Sequence, residues 1–597
     1  KFKAATMVNV EVIKLHGNFS YKFITTDATL GNGAILTIDN QTTGATNKLV
    51  FNGGAETDGA FTINGGAGND KIIGCANTDA LNGNGGNDVI DTNGGFDHVT
   101  GGEGDDEIHL GTLTAFHSID GGTGNDKLFL NGDFDFTLNN TVIGVETYVF
   151  AAGHTYGLGL DAAAGTASMT FDGSKLHSDD RLLVDASHLT SSSIRFKGGA
   201  GEDAYWGGGG VDTVAGGDGF DHFFMGANLT AADQIDGGAG SDTLFLSGDY
   251  SAGLIMNSTT IRGIEFISLA SGGHTYVITT ADGNIASGKT LDVSLGEGAL
   301  TFNGAAETNG KFTFNMNGGT YDLTGGKQAD IFNLSAFGTA RGGLGDDKFN
   351  LTTSLTSTYK LDGGSGNDTV NLTTSSGALV TFTSTTMLGI EKVILADGSN
   401  YNFKTASATV ATGASMTFDA SALQATNTFT FDGSAETNAQ YVLIGGRGND
   451  VLKGGSGADI ITGGGGADQI TAGAGNDTLV FSSVSQSSST IRDTVTGFDF
   501  NNADKLDFNF AITGIDASMS GSVSAATFDA DLHALITPAK LGVQHAMLFI
   551  ATGGDLIGHT FLIVNGNANA GYQGGGDFSI DLVSSANLGS LDTTDFI

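Results

Sequence analysis

From Gly65 to His109 the chain reads GGAGNDKII, GCANTDALN, GNGGNDVID, TNGGFDHVT, GGEGDDEIH, five nine-residue units without a gap. Asp70, Asp79, Asp88, Asp97 and Asp106 fall nine apart, and Ile72, Leu81, Ile90, Val99 and Ile108 hold the eighth position of each unit, where a side chain would point inward. One such unit arises easily in a glycine-rich chain, but five in register do not arise by accident.

These residue types carry a chemistry. Glycine permits the positive φ angles that aim successive carbonyls into a turn, and Asp adds a charged oxygen, a set suited to a hard cation. Ca²⁺ takes about 6–8 oxygens, more than one turn offers, so two turns must share each ion. The pattern resembles the RTX (repeat-in-toxin) calcium-binding family, in which a six-residue Gly-rich turn carries an Asp and a three-residue strand carries one large apolar residue. The resemblance implies an all-β protein: an elongated right-handed parallel β-roll or β-helix solenoid with interleaved calcium blocks and a C-terminal β-rich cap. Two units would make one coil, with calcium between stacked turns of the same edge. Carried onto this chain, Asp70 would face Asp88 and Asp106 along one edge while Asp79 and Asp97 line the other, where GCANTD and TNGGFD depart from the glycine pattern.

The pattern returns from Gly198 with Asp203, Asp212 and Asp221, in an isolated copy at Asp242, and from Gly445 with Asp450, Asp459, Asp468 and Asp477. Between these, GGKQAD, GGLGDD and GGSGND place Asp330, Asp347 and Asp368 out of strict register, a decayed block expected to hold fewer ions. With Asp126 and the turn glycines Gly65, Gly68, Gly101 and Gly104, these aspartates are the candidate ligands for multiple Ca²⁺ ions.

Composition agrees. The 597 residues include 96 Gly and 1 Pro, and the glycines recur in order, which excludes collagen and a disordered tract. Against 25 basic residues stand 65 acidic ones, a formal charge of −40, so the folded chain repels itself unless a cation is bound, and a nucleic-acid partner is excluded. Acidity serving only solubility would scatter the carboxylates rather than set them at fixed intervals beside glycines. Cys75 is the only cysteine and reads as a small buried filler, with no disulfide framework or thiolate cage. No apolar run approaches the roughly 20 residues of a membrane span, and no signal peptide opens the chain.

A longer period is superimposed. Asn9-Val10-Glu11, Gly144-Val145-Glu146, Gly263-Ile264-Glu265 and Gly389-Ile390-Glu391 each open a short apolar strand, with Tyr21, Tyr156, Tyr276 and Tyr401 about ten residues on. Ala55-Glu56-Thr57 reappears around Glu307 and Glu436, and Met169-Thr-Phe-Asp172 as Met416-Thr-Phe-Asp419. Each unit thus joins a β-rich stretch to a calcium block. The boundaries expected are strand segments over 1–64, 143–197, 263–315 and 389–444, calcium blocks over 65–142, 198–262, 316–388 (decayed) and 445–484, and a cap with secretion signal over 485–597. The Glu11 strand has no block before it and residue 1 is Lys, which suggests that a longer polypeptide has been cut.

Gly283-Asn-Ile-Ala-Ser-Gly288-Lys289-Thr290 matches a phosphate-binding loop, but Leu291-Asp-Val-Ser-Leu295 continues as strand where such a loop needs a helix N-terminus. No H-E-x-x-H or G-x-S-x-G occurs, so no catalytic residues are assigned and an enzyme is not expected. His154-Thr-Tyr156 and His274-Thr-Tyr276 read as cover for a strand edge, and the 39 Phe as buried rungs rather than a sugar-binding face.

Asp493-Thr-Val-Thr-Gly-Phe-Asp-Phe500 and Ala503-Asp-Lys-Leu-Asp-Phe508 resemble the cap that follows β-rolls in type I-secreted proteases. The ending Asp592-Thr-Thr-Asp-Phe-Ile597 resembles that pathway's uncleaved signal, and Ala525–Leu535 reads as an amphipathic helix. The organisation resembles that of type I-secreted bacterial surface-layer proteins. This implies a secreted, cell-surface structural protein that folds on calcium after export, with the type I machinery, further copies of itself in an oligomer or lattice, and cell-surface polysaccharide as partners. The alternatives are an RTX adhesin or biofilm-matrix protein, and the non-catalytic part of a secreted RTX enzyme.

Overall fold

A computed structural model describes residues 9–597 except 42–43, 112–116, 139–140, 162–167, 408, 438 and 502–503. Lys1, on which the expectation of a longer polypeptide rests in part, and Ala503 of the carboxyl-terminal motif lie outside these residues. The protein is an all-β parallel solenoid of about 22 turns with 4% helix, divided into two units, residues 1–298 and 299–597.

In the first unit the eighth-position residues of the nonamers do what their spacing demands. Ile72 pairs with Ile90 and Ile90 with Ile108 in successive parallel strands, while Leu81 pairs with Val99 on the opposite sheet. All five are buried. A strand such as Val89–Asp91 presents one inward side chain, so each coil adds only a thin rung of apolar surface.

The β-rich stretches supply thicker rungs. In the second unit Phe314, Phe332 and Phe349 stack with ring centroids 5.0 and 4.8 Å apart. On the outer face of the same strands Asn333 Nδ2 donates to Asn315 Oδ1 at 2.7 Å, Asn350 to Asn333 at 2.8 Å and Asn371 to Asn350 at 2.7 Å. Asn333 and Asn350 each donate to one neighbour and accept from the next, which locks the register that keeps the rings inside. Phe332 is fully buried between two rings, and Phe332→Ala should cost about 3–5 kcal/mol of unfolding free energy, read by denaturant titration in calcium.

Parallel pairing runs past the last nonamer. Thr494–Thr496 pairs with Gln469–Thr471, and Lys505–Phe508 with Thr478–Phe481. Only then does the topology change, to the antiparallel set His545–Gly553, Thr560–Val564 and Phe578–Val583, whose last strand pairs in parallel with Thr494–Thr496. The helix expected over 525–535 starts with a 3₁₀ turn, Ala525–Thr527, and is α-helical over Phe528–Leu535, burying Phe528 and Leu532. The chain end is docked: Phe596 is buried, the Ile597 amide donates to the Leu506 carbonyl at 3.1 Å, and Lys505 Nζ donates to the Thr594 carbonyl at 2.7 Å. Gly283–Lys289 leads into the strand Thr290–Leu295, as its rejection as a phosphate loop requires.

Candidate metal centres

Along one edge of the first block each aspartate reaches back to the coil before it. Asp88 Oδ1 accepts from the Asp70 amide at 2.7 Å, Asp106 Oδ1 from the Asp88 amide at 2.7 Å, and Asp126 Oδ1 from the Asp106 amide at 2.8 Å. On the other edge the Phe61 amide donates to Asp79 at 2.6 Å and the Asp79 amide to Asp97 at 2.8 Å. The two edges are therefore those set by the 18-residue spacing. TNGGFD keeps its place because Asn93, Gly94 and Gly95 all take positive φ.

The second block repeats the device through Asp203, Asp221 and Asp242 at 2.8 Å per step, and the fourth through Asp450 to Asp468 and Asp459 to Asp477, again at 2.8 Å. Asp212 accepts from the Ile194 amide at 3.0 Å on the second block's other edge. The decayed block is a ladder too: Asp347 accepts from the Asp330 amide and Asp368 from the Asp347 amide, both at 2.7 Å. Strand register is kept there, with Ile331 opposite Lys348 and Lys348 opposite Thr369. The uneven sequence spacing is absorbed away from this edge, by the short connection between Leu334 and Gly338 and the long one between Leu351 and Lys360.

The turns take two forms. In the closed form the second carboxylate oxygen returns to an amide four residues earlier: Asp79 to Cys75, Asp203 to Gly199, Asp330 to Gly326, Asp450 to Gly446 and Asp459 to Gly455, each at 2.6 Å. None of residues 65–70 has positive φ either, but Asp70 Oδ2 is nevertheless buried without a hydrogen-bond partner, so Asp70 stands between the two forms. In the open form two turn residues take positive φ, as Gly102 and Gly104 do at +119° and Asn84 and Gly86 at 73° and 97°. There Oδ2 of Asp88, Asp106, Asp126, Asp221, Asp242, Asp347, Asp368, Asp468 and Asp477 is buried without any hydrogen-bond partner.

An ionised oxygen buried in that way is costly, and a bound cation relieves the cost. Glycine carbonyls line the same space. A Cβ on Gly65 would collide with Asp70 Oδ2 and the Gly83 carbonyl, and one on Gly101 with Asp106 Oδ2 and the Gly121 carbonyl. Gly68 and Gly104 lie as close to the Asn47 and Gly86 carbonyls of the preceding coil. Among the described residues no three His, Cys, Asp or Glu side chains converge on one point. A hard cation would thus take most of its oxygens from turn carbonyls and add carboxylates one or two at a time. Gly104→Ala combines a left-handed backbone with that collision, and should destabilise the first block by about 2 kcal/mol or more, read as faster amide exchange there.

Electrostatics point the same way. Burial first, then the neighbouring aspartates' like charge, pushes Asp88, Asp221 and Asp347 up to about 8. Burial raises Asp97, Asp106, Asp468 and Asp477 to about 7, and Asp70, Asp203, Asp212, Asp242, Asp330, Asp368, Asp450 and Asp459 to about 6. These ladder carboxylates are all shifted towards the protonated form, and a divalent ion bound among them would reverse that.

The nonamer pattern missed several members of the ladders. Asp233, in Thr-Ala-Ala-Asp without a glycine turn, accepts from the Asp212 amide at 2.8 Å. Asp493 and Asp504 extend both final ladders, accepting from the Asp468 amide at 2.9 Å and the Asp477 amide at 3.0 Å. Most informative are the Gly-[Val/Ile]-Glu triplets, which do more than open strands. Strand register sets residues 144–146 opposite 121–126, so a six-residue turn is cut to three. The same holds for 263–265 and 389–391. Gly144, Gly263 and Gly389 adopt φ of 64°, 58° and 53° to make the cut. The extra methylene of Glu146, Glu265 and Glu391 then lets Oε2 accept from the Asp126, Asp242 and Asp368 amides at 2.8, 3.0 and 2.7 Å. Each triplet terminates a ladder.

Fold and site together define a parallel β-solenoid whose edges are ladders of glycine turns with buried aspartates. The family model for the RTX calcium-binding nonapeptide repeat matches residues 57–90, 82–112, 195–224, 230–250, 360–372 and 444–479. The chain therefore carries RTX calcium-binding repeats, and calcium is the cation they imply. No curated protein matches the sequence.

Proposed function

We propose that this is a secreted structural protein that folds by binding several calcium ions between stacked turns and then assembles with further copies at the cell surface. The observation that carries the reading is the row of buried, partnerless Oδ2 atoms on successive coils. The ligands proposed are the ladder aspartates and the turn carbonyls, arranged in blocks over 65–142, 198–262, 316–388 and 445–484. The decayed block is included because its ladder is continuous. The sites supply electrostatic glue rather than reaction chemistry, and the Gly-[Val/Ile]-Glu turns set where each block stops.

Export by a type I system fits a chain whose blocks stay open at low calcium and close outside the cell. It also fits a terminal Asp-Phe-Ile segment that must be read before it docks on the last coil. Among the described residues no helix is long and apolar enough to cross a membrane. Isothermal titration of chelator-treated protein with Ca²⁺, followed by electron microscopy, tests the reading. Several calcium sites and ordered sheets or tubes are expected; absence of bound calcium overturns it entirely, and a monomer at high concentration in calcium overturns the assembly.

A further inference from the structure

Gly157 and Gly159 are the solvent-facing residues of the strand Thr155–Leu160, with Tyr156 and Leu158 buried between them. The equivalent positions after Tyr21, Tyr276 and Tyr401 hold Lys22 and Ile24, Val277 and Thr279, and Asn402 and Lys404. Glycine weakens a strand interior and marks places where something approaches the backbone closely. Here the missing side chains leave a groove of about 340 Å³, walled by Phe134, Asp135, Thr137, Asp185 and Trp206. A Cβ on Gly157 would stand 2.9 Å from Asp135 Oδ1, and one on Gly159 3.1 Å from Thr137 Oγ1, so ordinary side chains would crowd or fill it.

The wall continues as an aromatic platform. Trp206, the only tryptophan of the chain, stacks on Phe224 at 4.8 Å and 8°, and Phe224 on Phe245 at 4.5 Å and 10°. The three rings occupy outward, half-exposed positions of successive coils. On the matching sheet of the first block these positions are Ile73, Asp91 and His109, and His109 stacks on Phe129 at 4.5 Å and 5°, without an indole. Asp185 Oδ1 accepts from the Ser187 amide and hydroxyl at 3.0 and 2.6 Å, which fixes the carboxylate beside the rings.

We propose that this groove binds a neutral pyranose glycan. The C–H face of a sugar ring packs on the electron-rich face of the indole, and Asp135, Asp185 and Thr137 offer acceptors and a hydroxyl to its ring hydroxyls. Among the described residues no Lys or Arg lines the groove, and its two carboxylates disfavour uronate or phosphate groups. The inference deepens the cell-surface reading by giving it a polysaccharide contact, but it does not require the lattice.

The single tryptophan makes the site its own reporter. Calcium-loaded protein titrated with cellohexaose and with N-acetyl-chitohexaose should show a saturable change in indole emission with at least one of them. Gly159→Thr, which fills the groove with a strand-favouring residue, and the near-isosteric Asp185→Asn should each weaken it by about tenfold or more while circular dichroism stays unchanged. Should Gly159→Thr misfold, Asp185→Asn decides. The proposal is overturned by no saturable response to either hexasaccharide, by a response that survives the deciding variants, or by one given only by oligogalacturonate. An emission change that follows protein concentration without sugar would make the groove a contact between copies and overturn it equally. Because monomeric protein suffices, failure of assembly leaves the result readable.

Discussion

Calcium-stripped protein should lose most of its strand signal at pH 8 and regain it as the pH is lowered to 5. The ladder aspartates have folded-state values raised to between about 6 and 8, with Asp88, Asp221 and Asp347 highest, against about 3.9 in an unfolded chain. A carboxyl whose folded value is raised binds more protons folded than unfolded. Its stabilising share is complete below about pH 4 and is lost as pH climbs through 6 to 8. Protonation thus does part of the cation's work by removing the charge from the buried oxygens. With many such groups in each unit, the melting temperature in chelator should be higher at pH 5 than at pH 8 by on the order of 10 °C. In saturating calcium the trend inverts, because protons then compete with the ion for the same oxygens. Thermal melts by circular dichroism in both conditions decide; a chelator melt that does not respond to pH would refute the shared-cage account.

Replacing Asp88, Asp221 and Asp347 by Asn should have opposite effects with and without calcium. The amide oxygen can still accept from the Asp70, Asp203 and Asp330 amides, so the ladder bond survives. What disappears is a buried charge beside like charges. The chelated triple variant should therefore melt several degrees above the parent, while calcium affinity falls by roughly tenfold per affected site, about 1.4 kcal/mol each. Calorimetric titration and paired melts read both. A purely structural aspartate would give the same change of stability in chelator and in calcium, and a variant destabilised in both would exclude the ligand role.

Much of this was legible in the nonamers. The period fixed which residues face inward, and the resemblance to RTX repeats, with two units to a coil, implied that Asp70, Asp88 and Asp106 share an edge, as their ladder shows. The turn state was not legible: GGAGND at Gly65 and GGEGDD at Gly101 differ little as strings, yet the second carries left-handed glycines at Gly102 and Gly104 and the first carries none. That difference depends on what lies on the preceding coil. Asp233 and the three terminating glutamates escaped because their turns lack the glycine signature and are recognised only through strand register. Asp330, Asp347 and Asp368 looked out of step because sequence spacing counts both edges, whereas the hydrogen bonds join one.

The ladder bonds share one direction, from the amide of an earlier aspartate to the carboxylate of a later one. A coil exposed by a cut on its amino side presents a carboxylate, which water solvates well. A coil exposed on its carboxyl side presents a bare amide and an open turn. Within a block, a coil added on the amino side therefore meets a carboxylate already in place, as the Asp468 and Asp477 amides meet Asp493 and Asp504, whereas one added on the carboxyl side must bring its own.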